Sequence, residues 1–144
     1  MDKERAINFI ESSFLNEMLL DHDVTDISYN GEELFYVSNS KGRMKSKVRI
    51  EQKKVSDFIR QIANLAEKQF SYTVPELDFS IGKYRINAIH HSIGKVKDEG
   101  AITFSIRIAS EKIRINEKSD FFTPQIVELI DYILSNNMSI VIGG

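Results

Sequence analysis

Apolar and polar residues alternate most strictly over residues 76–89. Gly82-Lys83 fits the two-residue loop of a type II′ turn. Closing the chain there sets Ile81 against Tyr84, Ser80 against Arg85, Phe79 against Ile86, Asp78 against Asn87 and Leu77 against Ala88. Successive side chains on a strand point to opposite faces. This register therefore gathers Leu77, Phe79, Ile81, Tyr84, Ile86 and Ala88 on an apolar face, and Asp78, Ser80, Arg85 and Asn87 on a polar one. A slip of one residue would scramble both faces, so the pattern fixes the pairing. The polar face is the first place to look for function.

The other elements follow from their spacing. Ile7, Ile10, Phe14 and Met18 recur with helical period and predict a helix over residues 3–20. A strand over 24–30 would carry Val24, Asp26, Ser28 and Asn30 on one face and Thr25, Ile27 and Tyr29 on the other, with a turn at Asn30-Gly31. A second strand spans 34–38 and a third 44–50. The third would align Arg43, Lys45, Lys47 and Arg49, either as a surface for phosphate or an acidic partner, or as a solvated edge kept from aggregating by its cations. Residues 52–70 carry the stripe Val55, Phe58, Ile59, Ile62, Leu65, Ala66 and Phe70, a helix suited to covering one sheet face. Residues 93–100 form a glycine-flanked charged loop. A last strand over 101–109 turns Ile102, Phe104, Ile106 and Ile108 inward and Thr103, Ser105 and Arg107 outward. The fold class expected is α+β: an antiparallel sheet of about six strands with helices packed on it. It occupies residues 1–109, and the charged stretch 110–122 reads as a linker.

The pattern changes after that. Thr123 suits an N-cap and Pro124 the first helical position. Ile126, Leu129, Ile130, Ile133 and Leu134 form an apolar stripe, and Asn136-Asn137 suit a C-cap. Residues 138–142 are an apolar run fit for a buried parallel strand, ending in Gly143-Gly144. Helix, buried strand and glycine turn are how an α/β nucleotide-binding unit begins. In a P-loop the order is strand, G-x-x-x-x-G-K-[ST], helix. Gly143 takes the place of the first glycine, and the Lys and Ser/Thr would fall beyond Gly144. Residues 123–144 are thus expected to be the truncated start of a P-loop domain.

Composition narrows the function classes. The net charge is -2 and the pI about 5.9, so the basic footprint of a nucleic-acid binder is missing and no direct nucleic-acid contact is expected. Without cysteine there is no disulfide, thiolate nucleophile or zinc–thiolate site. His90 and His91 would point to opposite faces of a strand, which is poor geometry for a shared metal, and no metal site is expected. Residues 1–5 lead into an amphipathic stretch and not a signal-peptide core.

Four stretches together resemble the secretion ATPase superfamily, which serves type II and type IV secretion, pilus assembly and conjugation. They are residues 23–31 (DVTDISYNG), residues 36–42 (YVSNSKG), the LDFS and YRINA halves of the hairpin, and Thr123-Pro-Gln followed by Ile140-Val-Ile-Gly-Gly144. The resemblance is strongest to the subgroup serving type IV secretion and tight-adherence pili. It implies a PAS-like N-terminal domain of a cytoplasmic hexamer, peripheral at the inner face of the cell membrane through secretion or pilus machinery proteins. In such proteins ATP and Mg²⁺ lie between the N-terminal and C-terminal domains, and the N-terminal domain shares in ring assembly and force transmission. The family's arginines match Arg85, in the R-x-N-A hairpin, and Arg107, in an Ile-Arg context. Asp78 and Asn87 would support them, and Gly143 and Gly144 would open the phosphate loop. A cation aimed at the transferring phosphoryl group neutralises developing charge, and the guanidinium fork suits phosphate oxygens. The chain departs from the family at His90-His91, in the charged loop after them, and in lacking the catalytic half. By itself it is expected to hold no catalytic residue, not to hydrolyse ATP and to bind no cofactor tightly. Two plainer readings stand beside this one: Arg85 pairs with Asp78 while Arg107 is solvated, and the whole is a free-standing PAS-like module binding a ligand or protein.

Overall fold

The computed structural model describes residues 3–110, 122–141 and 143. The chain divides into two compact units, Met1–Ser110 and Glu111–Gly144. The first is α+β. Helices α1 (Lys3–Glu11), α2 (Asn16–Leu19) and α3 (Gln52–Leu65) accompany strands β1 (Val24–Tyr29), β2 (Leu34–Ser38), β3 (Gly42–Lys45), β4 (Glu76–Ile81), β5 (Tyr84–Ile89), β6 (Lys95–Val96), β7 (Glu99–Gly100) and β8 (Thr103–Ile108). Six of the strands form one antiparallel sheet in the order β3-β2-β1-β8-β5-β4, and β6 and β7 pair separately.

The β4–β5 hairpin has the register read from the pattern, pair for pair. Gly82 sits at φ +56 while Lys83 stays out of the left-handed region, the combination a type II′ turn requires. Leu77, Ile81, Tyr84, Ile86 and Ala88 are buried, and Asp78, Ser80, Arg85 and Asn87 are exposed. On the buried face lies α3, which contributes Val55, Phe58, Ile59, Ile62 and Ala63 to the core. Phe58 is its hub, with ring centroids 4.8 Å from Phe14, 5.6 Å from Phe9 and 6.2 Å from Phe104. Each large side chain so buried contributes roughly 1.5–3 kcal/mol, which is why the amphipathic stripe and not helix propensity holds α3 in place.

Several boundaries differ from the pattern, each for a local reason. The expected helix over 3–20 breaks after Glu11. Ser13 Oγ donates to Ile10 O at 2.7 Å and accepts from Leu15 N at 3.2 Å, so the side chain competes with the helical ladder. The break lets Leu15 and Met18 into the core. In β1 a bulge between Val24 and Asp26 puts Val24 on the same side as Ile27 and Tyr29, so strict alternation assigns it to the wrong face. Helix α3 stops at Leu65, short of residue 70. Glu67 adopts φ +54, and Lys68 N bonds to Ala63 O at 2.8 Å, a Schellman ending made without glycine. The loop over 93–100 contains the β6–β7 hairpin, turned by Lys97 and Asp98, both at positive φ.

The third strand ends at Lys45 rather than reaching residue 50. Ser46 N makes the last bond to β2, at Leu34 O, and Ser46 Oγ then accepts from Val48 N at 3.1 Å, which turns the chain away. Arg43, Lys45, Lys47 and Arg49 therefore do not form one row. Arg43 lies over the Phe35 ring at 4.6 Å and Lys45 pairs with Glu33, while Lys47 and Arg49 lie beyond the strand. β3 is an edge of the sheet, where exposed cations discourage strand addition.

The second unit contains α4 (Pro124–Ser135), with Thr123 at the N-cap and Pro124 in the first turn. The Thr123 hydroxyl makes no capping bond. Asn137 at φ +52, with Met138 N bonded to Ile133 O, closes the helix as the asparagine pair predicts. Residues 138–141 are not in a strand, because a strand needs a paired neighbour and none of the described strands pairs with them. Ile142, Gly144 and residues 111–121 of the expected linker lie outside the described residues.

Candidate functional site

Alternation along four antiparallel strands places one polar row across the exposed face of the sheet. Asp26 on β1 stands directly opposite Arg107 on β8, and Arg107 directly opposite Arg85 on β5. Ser80 on β4 completes the row. In the next row Asn87 lies opposite both Asp78 and Ser105. Arg107 of the last strand thus shares one small area with Arg85, Asp78 and Asn87 of the hairpin.

The two arginines are held by carboxylates on their outer sides. Arg85 donates to Asp78 through Nη2 at 3.2 Å and Nε at 3.5 Å, using both carboxylate oxygens. Arg107 donates through Nε to Asp26 Oδ1 at 3.1 Å. Arg85 therefore pairs with Asp78 as the plainer reading has it. Arg107 is paired as well, and Asp26 is the partner that sequence reading missed. Its signal is its alternation with Ser28, but the bulge at its neighbour hid which strand position it would face. The arginine side chains remain 67% and 76% exposed, so their unused N–H groups are open to a ligand. The Asp78 hydrogen bond, then its charge, hold the proton on Arg85 above the ordinary arginine range.

Other titratable groups serve the fold. His90 is buried, not on an exposed strand face. Its Nδ1 accepts from Ser92 N at 3.2 Å, and its ring meets Phe70 edge-on at 5.3 Å. The His91 ring lies against it at 3.9 Å, so the two do not point apart, because β5 ends at Ile89. Burial, then the charges of His91 and Arg60, push the His90 pKa down. Among the described residues no three His, Cys, Asp or Glu side chains gather as metal ligands. A concavity of about 880 Å³ is lined by Glu32, Glu33, Lys45, Lys47, Arg49 and Glu51 among others. Its acids and bases partly neutralise one another, as Lys45 does Glu33, which makes a solvated groove and not the apolar lining of a ligand site. None of the four residues of the arginine cluster lines it. Gly143 belongs to the second unit and is exposed, with nothing within 4 Å of where a Cβ would stand. Gly144 lies outside the described residues.

Two exposed cations side by side, each with free N–H groups, can take an oxyanion between them, and an arginine fork binds phosphate oxygens in pairs. No protein-family model matches the chain. It is 29% identical over 126 residues to an uncharacterized protein of Bacillus anthracis, an alignment covering 85% of this chain and 28% of that protein. Its fold is similar to that of the VirB11 ATPase from the Brucella suis type IV secretion system, crystallised in complex with sulphate. The TM-score is 0.61 with 19% sequence identity, over 92% of this chain and 44% of the other. At that identity the likeness is one of fold. The chain spans less than half the length of either protein. No described helix is long and apolar enough to cross a membrane.

Proposed function

We propose that the chain is the N-terminal domain of a secretion or conjugation ATPase and lends Arg85 and Arg107 to a nucleotide site shared with a P-loop domain. The observation that carries the reading is the direct apposition of these two arginines on the exposed face of the sheet. Like charges directly opposite in a sheet are destabilising. Neither arginine contributes to the core, and what each gives the fold is one exposed ion pair of little worth. A polyanion between them turns the repulsion into attraction.

Three further facts support the reading. The fold likeness to a secretion ATPase extends over 92% of the chain. That protein was crystallised with sulphate, a tetrahedral oxyanion shaped like phosphate. The hairpin sequence around Arg85 and the Ile-Arg around Arg107 resemble the family's arginine motifs. Bound ATP with Mg²⁺ would supply the transferable phosphoryl group. The role of Arg85 and Arg107 would be to neutralise charge there, and that of Asp78 and Asn87 to support the polar face around them. Gly143 and Gly144 would open the phosphate-binding loop. A hexameric ring, engagement of secretion or pilus machinery at the cytoplasmic face of the inner membrane, and force transmission belong to the same reading.

The test is ATP turnover and ring mass of the longer protein with Arg85→Ala and Arg107→Ala. Slow turnover with unchanged ring mass is the expected result. Wild-type turnover in both variants would overturn the assignment.

A further inference from the structure

A β-bulge brings Asp26 to the arginine pair. Val24 covers the core, and strict alternation from it would turn Asp26 inward as well. The bulge between them breaks that parity and leaves Asp26 on the exposed face, directly opposite Arg107. We propose that Asp26 is a positioning residue for Arg107, holding the guanidinium at Nε so that its Nη groups are presented to a phosphate on the Arg85 side. This rests on the reading of Arg85 and Arg107 as a phosphate site.

Asp26 takes only the Nε of Arg107, through Oδ1 at 3.1 Å, and no bond among the described residues uses the Nη groups. The guanidinium is planar. With Nε–H turned towards β1, the opposite edge, which carries Nη1, faces β5, where Arg85 stands. Unpaired, a side chain this exposed would spread over its rotamers, and few of them aim the fork at the gap between the arginines. The Asp26–Arg107 pair is solvated and adds little to stability, but it is enough to shift a rotamer population by about 2–5-fold. A phosphate in the gap is repelled by Asp26, so the carboxylate adds nothing to ground-state binding. What it supplies is direction. Direction counts in the transition state, where a misplaced group loses rate.

The experiment measures steady-state ATP turnover of the proposed ATPase with Asp26→Asn, Asp26→Glu, Arg107→Ala and the double variant Asp26→Asn/Arg107→Ala. Asparagine keeps the shape and loses the charge, so kcat should fall about 2–5-fold. KM should not rise, because a repelling charge has gone. Asp26→Glu, which keeps the charge, should recover most of the rate. In the Arg107→Ala background, Asp26→Asn should change nothing further, because it acts only through that arginine. In this chain, Asp26→Asn should move the Nε–Hε NMR signal of Arg107 and leave that of Arg85, and an unchanged amide spectrum verifies the fold. Wild-type kcat in Asp26→Asn, or an equal loss with and without Arg107, would overturn the positioning role alone. Wild-type turnover in Arg107→Ala, or no ATP turnover by any form, would overturn the phosphate site itself.

Discussion

Tyr84 donates its hydroxyl to Glu11 Oε1 at 2.6 Å, joining the first residue of β5 to the last turn of α1. The tyrosine ring is buried, and burial first, then the bond to Glu11, push its pKa far above the ordinary tyrosine value. The hydroxyl stays protonated and donates to Glu11. Tyr84→Phe keeps the ring and removes the donor, so it should cost about 1 kcal/mol of unfolding free energy in urea. Wild-type stability would mean that ring burial alone fixes α1 against the hairpin.

Arg85 and Arg107 should matter for activity and not for folding. Both point away from the core, so alanine at either position should move the melting temperature by no more than about 3 °C. In the ATPase proposed above, hydrolysis should fall by up to ~10³-fold, the scale of arginine fingers. Lysine should rescue poorly, because a point charge cannot reproduce the planar fork. A large drop in melting temperature with normal turnover would make these arginines structural.

Asp23 should give the protein an acid-sensitive joint. Hydrogen bonds from the Ser38 and Ser40 hydroxyls, then from Ser40 N, lower its pKa from 3.8 to about 2. The unfolded chain takes up a proton that the folded one refuses. The stabilisation is therefore complete above pH 3.8 and is lost as pH falls towards 2. Urea midpoints measured from pH 6 to pH 2 should show Asp23→Asn less stable than wild type at the upper end and converging with it at the lower. Parallel curves would refute the assignment.

Gly31 and Gly42 offer a matched pair. Both have positive φ, +98 and +71, but a Cβ on Gly31 would come within 2.3 Å of Val96 Cγ2, while one on Gly42 would meet nothing within 4 Å. Gly31 O also accepts from the Tyr29 hydroxyl and from the Gln52 amide, whose oxygen accepts from Ile102 N at 3.1 Å. Alanine at Gly42 should cost about 1 kcal/mol of backbone strain. At Gly31 it should cost more than about 2 kcal/mol, because the junction must shift as well. Equal effects in denaturant unfolding would show that the junction yields freely.

Much of this fold was legible because period-2 alternation constrains a hairpin twice, once on each strand. The register from Leu77–Ala88 to Ile81–Tyr84 is an instance. What stayed hidden was decided by single side chains. Ser13 and Ser46 divert the backbone with their hydroxyls, Glu67 takes a left-handed conformation usually left to glycine, and the β1 bulge changes the face on which Val24 lies. Arg85 and Arg107 could each be placed on a polar face from sequence. That they stand opposite one another, with Asp26 beside them, depends on β8 lying between β1 and β5, which no local pattern encodes.

That strand order has a consequence for how the protein is made. β1 and β5 touch only through β8, and β8 is the last strand of the sheet to be synthesised. On the ribosome, residues 24–45 and 76–89 emerge as two separate sheet fragments, each with a bare inner edge. They can become one sheet only when Ile108 has cleared the exit tunnel. A nascent chain stalled before Thr103 would thus offer two open templates to its neighbours, and the arginine pair would not yet exist.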